Sequence, residues 1–199
     1  MKNKDIESSD FELNRQIFHL ALGVAIVLLL MYGFIDQNII LIIAGFVISI
    51  ASRTEKIPII YNLLQKFERE KEIKTFPGKG TIFYFIGVYI SLLLFPREIA
   101  LASIMVLALG DSISHMYGLH YGKIKHPLSE SKYLEGTIAG FLGGFAGALM
   151  FLPWHEAFFA SLTAMVVEAI EIKIGTEQVD DNLIIPVVAG AVVYVIRIF

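Results

Sequence analysis

Residues 98–119 read EIALASIMVLALGDSISHMYGL, and most of those before Gly110 are apolar. At a rise of about 1.5 Å per residue, a helix of this length crosses the roughly 30 Å hydrocarbon core of a bilayer. Ionisable side chains within such a helix are costly and mark function by default, which singles out Asp111, with His115 one turn on. The stretch predicts a membrane-spanning helix that carries a site. A helix–helix hydrogen bond is the structural alternative for Asp111.

The composition supports a membrane protein. Of the 199 residues, 56% are hydrophobic and 18% are charged, and the mean hydropathy is +0.68, whereas soluble domains are roughly 45–50% apolar and about 25% charged. The net charge of −3 argues against nucleic acid as a partner, because there is no basic excess to neutralise phosphates. The lack of cysteine excludes disulfides, thiolate metal sites and cysteine nucleophiles.

Six further apolar runs resemble the first. The predicted fold is an all-α polytopic membrane protein of one domain, 1–199, with a polar segment at 1–16. Glycines spaced by four residues in the fifth span (Gly136, Gly140 and Gly144) predict close helix packing. The seven predicted spans are 17–34, 38–51, 81–95, 98–119, 133–152, 155–172 and 182–198.

The segments between the spans predict the orientation. In the polar loop 52–80, Ile60, Leu63, Leu64 and Phe67 recur at helical spacing, which predicts an amphipathic helix in the membrane surface. If the N-terminus is cytoplasmic, fourteen Lys and Arg residues lie inside and two, Arg97 and Arg197, lie outside. The positive-inside rule thus predicts a cytoplasmic N-terminus and a cytoplasmic site, in a cell membrane or an endoplasmic-reticulum-type membrane.

Polar clusters occur at the predicted cytoplasmic ends of the spans. Arg15 and His19 lie on one face of the first helix with Glu12, although Arg15 could equally be an interfacial anchor. Lys79 and Gly80 follow a Pro-Gly turn, which either presents amides to a phosphate or simply leads into the membrane. The remaining candidates are the loop 118–136 (Gly118, Gly122, Lys123, Lys132, Glu135, Gly136), Glu168 in the sixth span, and Asp180, Asp181 and Asn182 before the seventh.

These residue types suit phosphoryl or nucleotidyl transfer. Carboxylates hold Mg²⁺, Lys side chains offset phosphate charge, and positioning supplies most of the remaining catalysis. Single residues also have explanations other than catalysis. Attraction to lipid headgroups accounts for Lys123, and helix capping accounts for an Asp at a helix start. The hydroxyl of a lipid that arrives between helices is a suitable acceptor.

The run GDSISHMYGLHYGK, followed by KYLEGTIAGFLGG, resembles the signature of the CTP-dependent lipid kinases, the group of dolichol kinase, phytol kinase and CTP-dependent diacylglycerol kinase. The opening ELNRQIFHLALG and the later Glu168 and DDNLIIP are similar to further elements of that group. The resemblance implies a membrane kinase that uses CTP and Mg²⁺. Eukaryotic dolichol kinases carry additional N-terminal spans, and we expect this chain to correspond to their catalytic core.

The resemblance also implies roles for individual residues. Asp111, Lys132, Glu135, Glu168 and Asp181 form the catalytic set, in which Asp111 binds metal or phosphate and Lys132 contacts phosphate. The metal ligands are Asp111, Glu168, Asp180 and Asp181, and Arg15 and His19 serve the substrate. The nucleotide-binding set is Lys79, Gly80, Gly110, His115, Gly118, Gly122, Lys123, Gly136 and Asn182.

The predicted acceptor is a polyprenol such as dolichol, and diacylglycerol and phytol are the alternatives. The predicted partners are this lipid, CTP and the bilayer, and assembly as a homodimer is left open. Two other classes remain: a cytidylyltransferase that makes a CDP-lipid, and an ion-coupled transporter. A transporter would place its acids near the bilayer midplane, whereas here they gather at one face.

Overall fold

The computed structural model describes residues 2–52, 58–68, 70–170, 172–174 and 177–199. Within these residues the chain is almost entirely helical, which confirms the all-α prediction apart from one small hairpin. The elements are α1 (Lys2–Met31), α2 (Gln37–Ala51), α3 (Pro58–Phe67), α4 (Glu70–Thr75), α5 (Lys79–Leu94), α6 (Arg97–Met105), a π-helical segment (Val106–Asp111), α7 (Ser112–Tyr121), α8 (Leu134–Ala148), α9 (Trp154–Ala169), β1 (Lys173–Ile174), β2 (Glu177–Gln178) and α10 (Asp181–Ile198).

Three helical stretches among the described residues are long and apolar enough to cross a membrane: Phe11–Met31, Arg97–Tyr121 and Asp181–Ile198. The helices α2 and α5 are apolar but shorter. Helices α2, α5, α8 and α9 have 15 or 16 residues, which corresponds to about 23 Å, less than a typical hydrocarbon core. Length and composition thus identify three spans of the predicted seven.

The described residues form seven helical passes: α1, α2, α5, the rod from α6 through the π segment to α7, α8, α9 and α10. The contacts between their ends indicate that successive passes run in opposite directions. At one end of the bundle, Arg97 at the start of α6 donates to the backbone oxygen of Leu30 in α1. At the same end, Arg197 near the end of α10 pairs with Glu98 in α6 and with Glu156 in α9. The opposite end contains most of the polar residues predicted from the sequence.

The rod of α6, the π segment and α7 lies at the centre of the bundle, where residues 99–108 are all buried. The glycine face of α8 packs against it, as the sequence predicts. A Cβ atom on Gly136 would lie 2.7 Å from the backbone oxygen of Ser114, and one on Gly140 would lie 2.6 Å from the Ser114 Cβ. Glycine at these positions therefore allows α8 to approach α7 closely.

A second close approach joins α5 to α10. Pro186 lies inside α10 and has no N–H, so the backbone carbonyl of Asn182, four residues earlier, lacks its usual helical partner. Gly87 in α5 packs against this carbonyl, and a Cβ atom at Gly87 would overlap the Asn182 oxygen. The contact brings the start of α10 against α5 close to the polar end of the bundle.

The loop between the second and third passes is partly helical. Helix α3 forms where the sequence predicts an amphipathic helix and packs against α1, with the ring of Phe67 4.7 Å from that of Phe18. The described residues do not include three of the cations counted for the positive-inside rule, Arg53, Lys56 and Arg69. They also do not include the side chains of Ile60 and Leu63.

Candidate active site

Asp111 ends the π-helical segment, and His115 lies one turn further along α7. The His115 Nδ1 atom is 3.3 Å from the Asp111 Oδ1 atom and 3.2 Å from the Asp111 backbone oxygen. Asp111 is buried, with 6% of its surface exposed. The π segment widens the helix at this point, a distortion that is frequent at functional sites.

The loop after α7 is a folded clip that presents Lys132. The backbone N–H of His126 donates to the Lys132 carbonyl oxygen at 3.0 Å, and Lys125 pairs with Tyr133 in an antiparallel bridge. At the tip, the Ser129 hydroxyl accepts the Lys132 backbone N–H at 3.1 Å. These bonds hold the backbone of Lys132 in place, so its side chain enters the bundle from a fixed position.

The Lys132 ammonium joins the ends of α9 and α10. Its Nζ atom lies 2.6 Å from the Glu168 Oε1 atom, 2.6 Å from the Glu168 backbone oxygen and 3.1 Å from the Asp181 Oδ2 atom. Burial alone lowers the pKa of Lys132, but the carboxylates of Glu168 and Asp181 outweigh it and raise the pKa above its usual value. Lys132 is therefore a fixed cation at neutral pH.

The start of α5 is held by a buried acid. The Glu68 Oε2 atom accepts the backbone N–H of Gly78 at 2.7 Å, and Gly78 has a φ of 79°, in the left-handed region that favours glycine. Burial raises the pKa of Glu68 to about 7. The turn directs Lys79 and Gly80 into the polar end of the bundle.

The start of α10 reaches the same place. Asp180 is the N-cap of this helix, and its Oδ1 atom accepts the Asn182 N–H at 3.1 Å. Burial raises the pKa of Asp180 to about 6. The Asn182 side-chain nitrogen donates to the Gly80 backbone oxygen at 3.3 Å. The N-termini of α5 and α10, which carry partial positive charge, therefore lie side by side.

Helix α1 contributes two basic groups. Arg15 pairs with Glu12 at 2.9 Å, and buried His19 packs edge-on against Tyr84 at 5.4 Å between ring centroids. The His19 ring also lies beside Gly80. The helical spacing of Arg15 and His19 places both on the side of α1 that faces α5.

Most of these groups border one cavity of about 230 Å³, which we call the polar cavity, whereas Glu168 lines a neighbouring cavity of about 270 Å³. The cationic or potentially cationic lining of the polar cavity comes from α1, α5, α7 and the clip, and its carboxylates come from the π segment, α4 and the start of α10. The predicted residues that line it are Arg15, His19, Lys79, Gly80, Asp111, His115, Lys132, Asp180, Asp181 and Asn182.

The boundary between the polar cavity and its neighbour fits a divalent cation, because Asp111 lines the first, Glu168 lines the second and His115 lines both. One oxygen-rich group is formed by Asp111, His115 and Glu168, whose ligand atoms lie within 4.8 Å of one another. The buried Glu168 Oε2 atom has no hydrogen-bond partner among the described residues, and the buried Asp111 Oδ1 atom has only the His115 Nδ1 atom near it, at 3.3 Å. Buried carboxylate oxygens without donors are suitable ligands for Mg²⁺, which prefers oxygen.

Other predicted residues lie elsewhere. Gly110 packs beside Met165 of α9, and a Cβ atom on Gly122 would overlap Tyr133. The Glu135 carboxylate lines neither the polar cavity nor the neighbouring cavity. It accepts the backbone N–H of Ile124 at 3.1 Å, and this bond fastens the clip to α8. Lys123 is exposed. These positions shape the clip and the α7–α8 contact, to which Gly118 and Gly136 also belong.

The sequence analysis missed Glu72 and Ser131, which also line the polar cavity. Glu72 belongs to a charged stretch whose composition is typical of a solvated surface. Ser131 is one of two serines in the clip, and the sequence does not indicate which of them faces the cavity. The fold alone places them at the cavity.

Comparison with known proteins shows which proteins the chain is similar to. No family model and no solved structure matches the chain. An uncharacterized protein of Methanocaldococcus jannaschii is 33% identical over 189 residues, or 92% of each chain. CTP-dependent diacylglycerol kinase 1 of Schizosaccharomyces pombe is 27% identical over 95% of each chain.

Plant relatives match over a shorter part. A probable chloroplastic phytol kinase 2 of Glycine max is 30% identical over 135 residues, which cover 59% of this chain and 45% of that one. The diacylglycerol kinase aligns along nearly the whole chain, and the phytol kinases along more than half of it. The relatives of this chain therefore include members of the group of CTP-dependent lipid kinases.

Proposed function

We propose that this protein transfers the γ-phosphoryl group of CTP to the hydroxyl of a membrane lipid. The observation that carries the proposal is the polar cavity, in which Lys132, bound by Glu168 and Asp181, lies beside Asp111 and His115. Its mixture of fixed cations and carboxylates matches what a polyphosphate and a divalent cation require together. The alignment with a CTP-dependent kinase over 95% of each chain supports CTP as the donor.

The reaction balances as follows. The lipid hydroxyl oxygen forms a bond to the γ-phosphorus of CTP, and the bond from that phosphorus to the β–γ bridging oxygen breaks. CDP leaves, and the hydroxyl proton passes to a carboxylate of the site. The lipid becomes a monophosphate.

In this proposal Lys132, Lys79 and Arg15 bind the phosphates, and Asn182 holds the α5 and α10 N-termini in register through Gly80. Asp111 and Glu168, with Asp180 and Asp181 beside them, would hold Mg²⁺. When bound, Mg²⁺ would neutralise charge on the transferring phosphoryl group. Glu135 acts at a distance, by fixing the clip that presents Lys132.

Two acceptors stand out. The sequence interpretation favours a polyprenol such as dolichol. The alignment over nearly the whole chain with a diacylglycerol kinase favours a glycerolipid alcohol. Both present one free hydroxyl on a long apolar body, so the same cavity chemistry serves either.

We further propose that all seven helical passes cross the bilayer and that the polar cavity faces the cytoplasm. The alternating directions of the passes and the fourteen-to-two distribution of Lys and Arg support this orientation. The shorter passes would need local thinning of the bilayer or burial among their neighbours.

The position of the label in the product tests the proposal. We expect purified protein with Mg²⁺ and a panel of polyprenol, diacylglycerol and phytol to incorporate phosphate from γ-labelled CTP and none from α-labelled CTP. ATP should substitute poorly. An α-label that enters only a lipid that already carries a phosphate would instead identify a cytidylyltransferase, and no incorporation of either label would refute both.

A further inference from the structure

A second cavity, of about 270 Å³, lies between α1 and α7 on the other side of Lys132. Most of its exposed wall is apolar and includes Leu13, Met116, Leu119 and Tyr133, and we call it the apolar cavity. The side chains of Glu12 and Glu168 also line it. It shares His115, Ser131 and Lys132 with the polar cavity, so these three side chains border both cavities.

Gln16 of α1 lines the apolar cavity with an amide oxygen that has no polar partner among the described residues. The side chain is 2% exposed, and its Oε1 atom has no hydrogen-bond partner among the described residues. Buried amide oxygens are almost always hydrogen-bonded, since an unpaired one costs about 1–3 kcal/mol. A hydroxyl group is a suitable donor to this amide oxygen.

The shape of the apolar cavity matches the end of a lipid. Leu119 on its rim is 49% exposed, so the cavity opens to the outer surface of the bundle. Its volume lies at or just below the lower end of the range for small-molecule pockets, roughly 300–1,000 Å³. That is room for the polar end and first carbons of a lipid, with the remaining chain outside among other apolar groups.

We infer that the apolar cavity binds the hydroxyl-bearing end of the lipid acceptor and that Gln16 is a positioning residue which accepts the hydrogen bond of that hydroxyl. The inference rests on the proposed function for the identity of the phosphoryl donor in the neighbouring cavity. The lipid hydroxyl then lies against the wall formed by His115, Ser131 and Lys132. Across that wall are the groups proposed to bind phosphate.

Crosslinking tests the site without turnover. The probe is a long-chain primary alcohol with a diazirine near its hydroxyl, added to the full chain in bilayer nanodiscs and located by mass spectrometry after irradiation. We expect labels on α1 and α7 around Leu13 and Leu119. The variant Leu119→Trp should reduce labelling at least five-fold, whereas Leu142→Trp, at a 57% exposed position on α8, should not. Labelling that is equal in both variants, or confined to other helices, would overturn the inference.

Kinetics test Gln16 separately. The variant Gln16→Leu keeps the size and removes the acceptor, so we expect KM for the lipid alcohol to rise roughly 3–10-fold, the loss of one neutral hydrogen bond, while KM for CTP stays within two-fold. Equal changes in both constants, or no change, would refute this role of Gln16. If the wild-type chain phosphorylates no lipid from CTP, the proposed function fails, while the crosslinking result still decides whether the cavity binds a lipid alcohol.

Discussion

The Lys132 Nζ atom lies 2.6 Å from the Glu168 carboxylate and 2.6 Å from the Glu168 backbone oxygen. The Lys132 side chain thus fastens the clip to the end of α9, because it binds both the carboxylate and the backbone of Glu168. Glu168 is almost fully buried, so its charge depends on this partner. Removal of one member of a buried ion pair costs several kcal/mol, because the other charge is left uncompensated.

We therefore expect Lys132→Met to abolish turnover and to lower the unfolding temperature in detergent by several degrees. The double variant Lys132→Met/Glu168→Gln should recover much of that temperature, since the fully buried charge is removed and only the partly exposed Asp181 loses its partner, and it should stay inactive. Thermal unfolding and the labelled-CTP assay measure the two effects. Recovery of activity in the double variant would show that Lys132 serves only to neutralise Glu168.

Asp111→Asn should reduce turnover by about 10²–10³-fold, the usual effect of losing one charge-stabilising group. If Asp111 binds Mg²⁺, the residual activity should also need a higher Mg²⁺ concentration for half-saturation. Glu130→Gln, on the exposed clip, is the matched control and should behave as wild type. An unchanged Mg²⁺ requirement together with near-normal turnover would assign Asp111 to helix packing.

Stability should depend on pH through Glu68, whose pKa burial raises to about 7 from 4.5. Between these values the folded state retains a proton that the unfolded state has lost, so the free energy of unfolding falls as pH rises through this window. The loss is on the order of a few kcal/mol. Glu68→Gln should flatten this part of the curve of unfolding temperature against pH, while an equally steep curve in the variant would exclude Glu68 as its source.

Gly87→Ala should separate α5 from α10, because the added methyl overlaps the Asn182 carbonyl oxygen. We expect lower thermal stability and weaker activity, since the Asn182–Gly80 hydrogen bond lies at the same contact. Gly45→Ala in α2 is the control: nothing lies within 4 Å of its Cβ position, and alanine favours the helix by roughly 0.5–1 kcal/mol. Equal unfolding temperatures in the two variants would contradict this account.

The orientation can be tested by single cysteines in the cysteine-free chain. With oriented cells or vesicles, an impermeant thiol reagent applied outside should label Trp154→Cys and should not label Lys123→Cys until the membrane is opened. Both residues are exposed. The reverse pattern would invert the proposed topology.

The sequence predicts much of this site because alternating passes bring distant polar residues to one end of a bundle. Asp111, Lys132 and Asp181 could be grouped by topology alone. Glu135 shows the limit: its charge and spacing resemble those of a site residue, but the direction of its side chain depends on how the clip folds. Gln16 shows the opposite case, since an amide beside the more conspicuous Arg15 gains its significance only from the cavity it faces.

The π-helical segment bears on how such a site could be gained or lost. A helix turns by about 100° for each residue, and a π turn accommodates one residue more than an α turn. Deleting a single residue from Val106–Asp111 would let this turn close into α form, and the residues after it would keep their faces relative to α6. The same deletion within the α-helical part of α6 would instead rotate His115 and the clip by that angle, away from α10, without any change in their identity. The π segment is therefore the place in this rod where the loss of one residue would leave the polar cavity aligned.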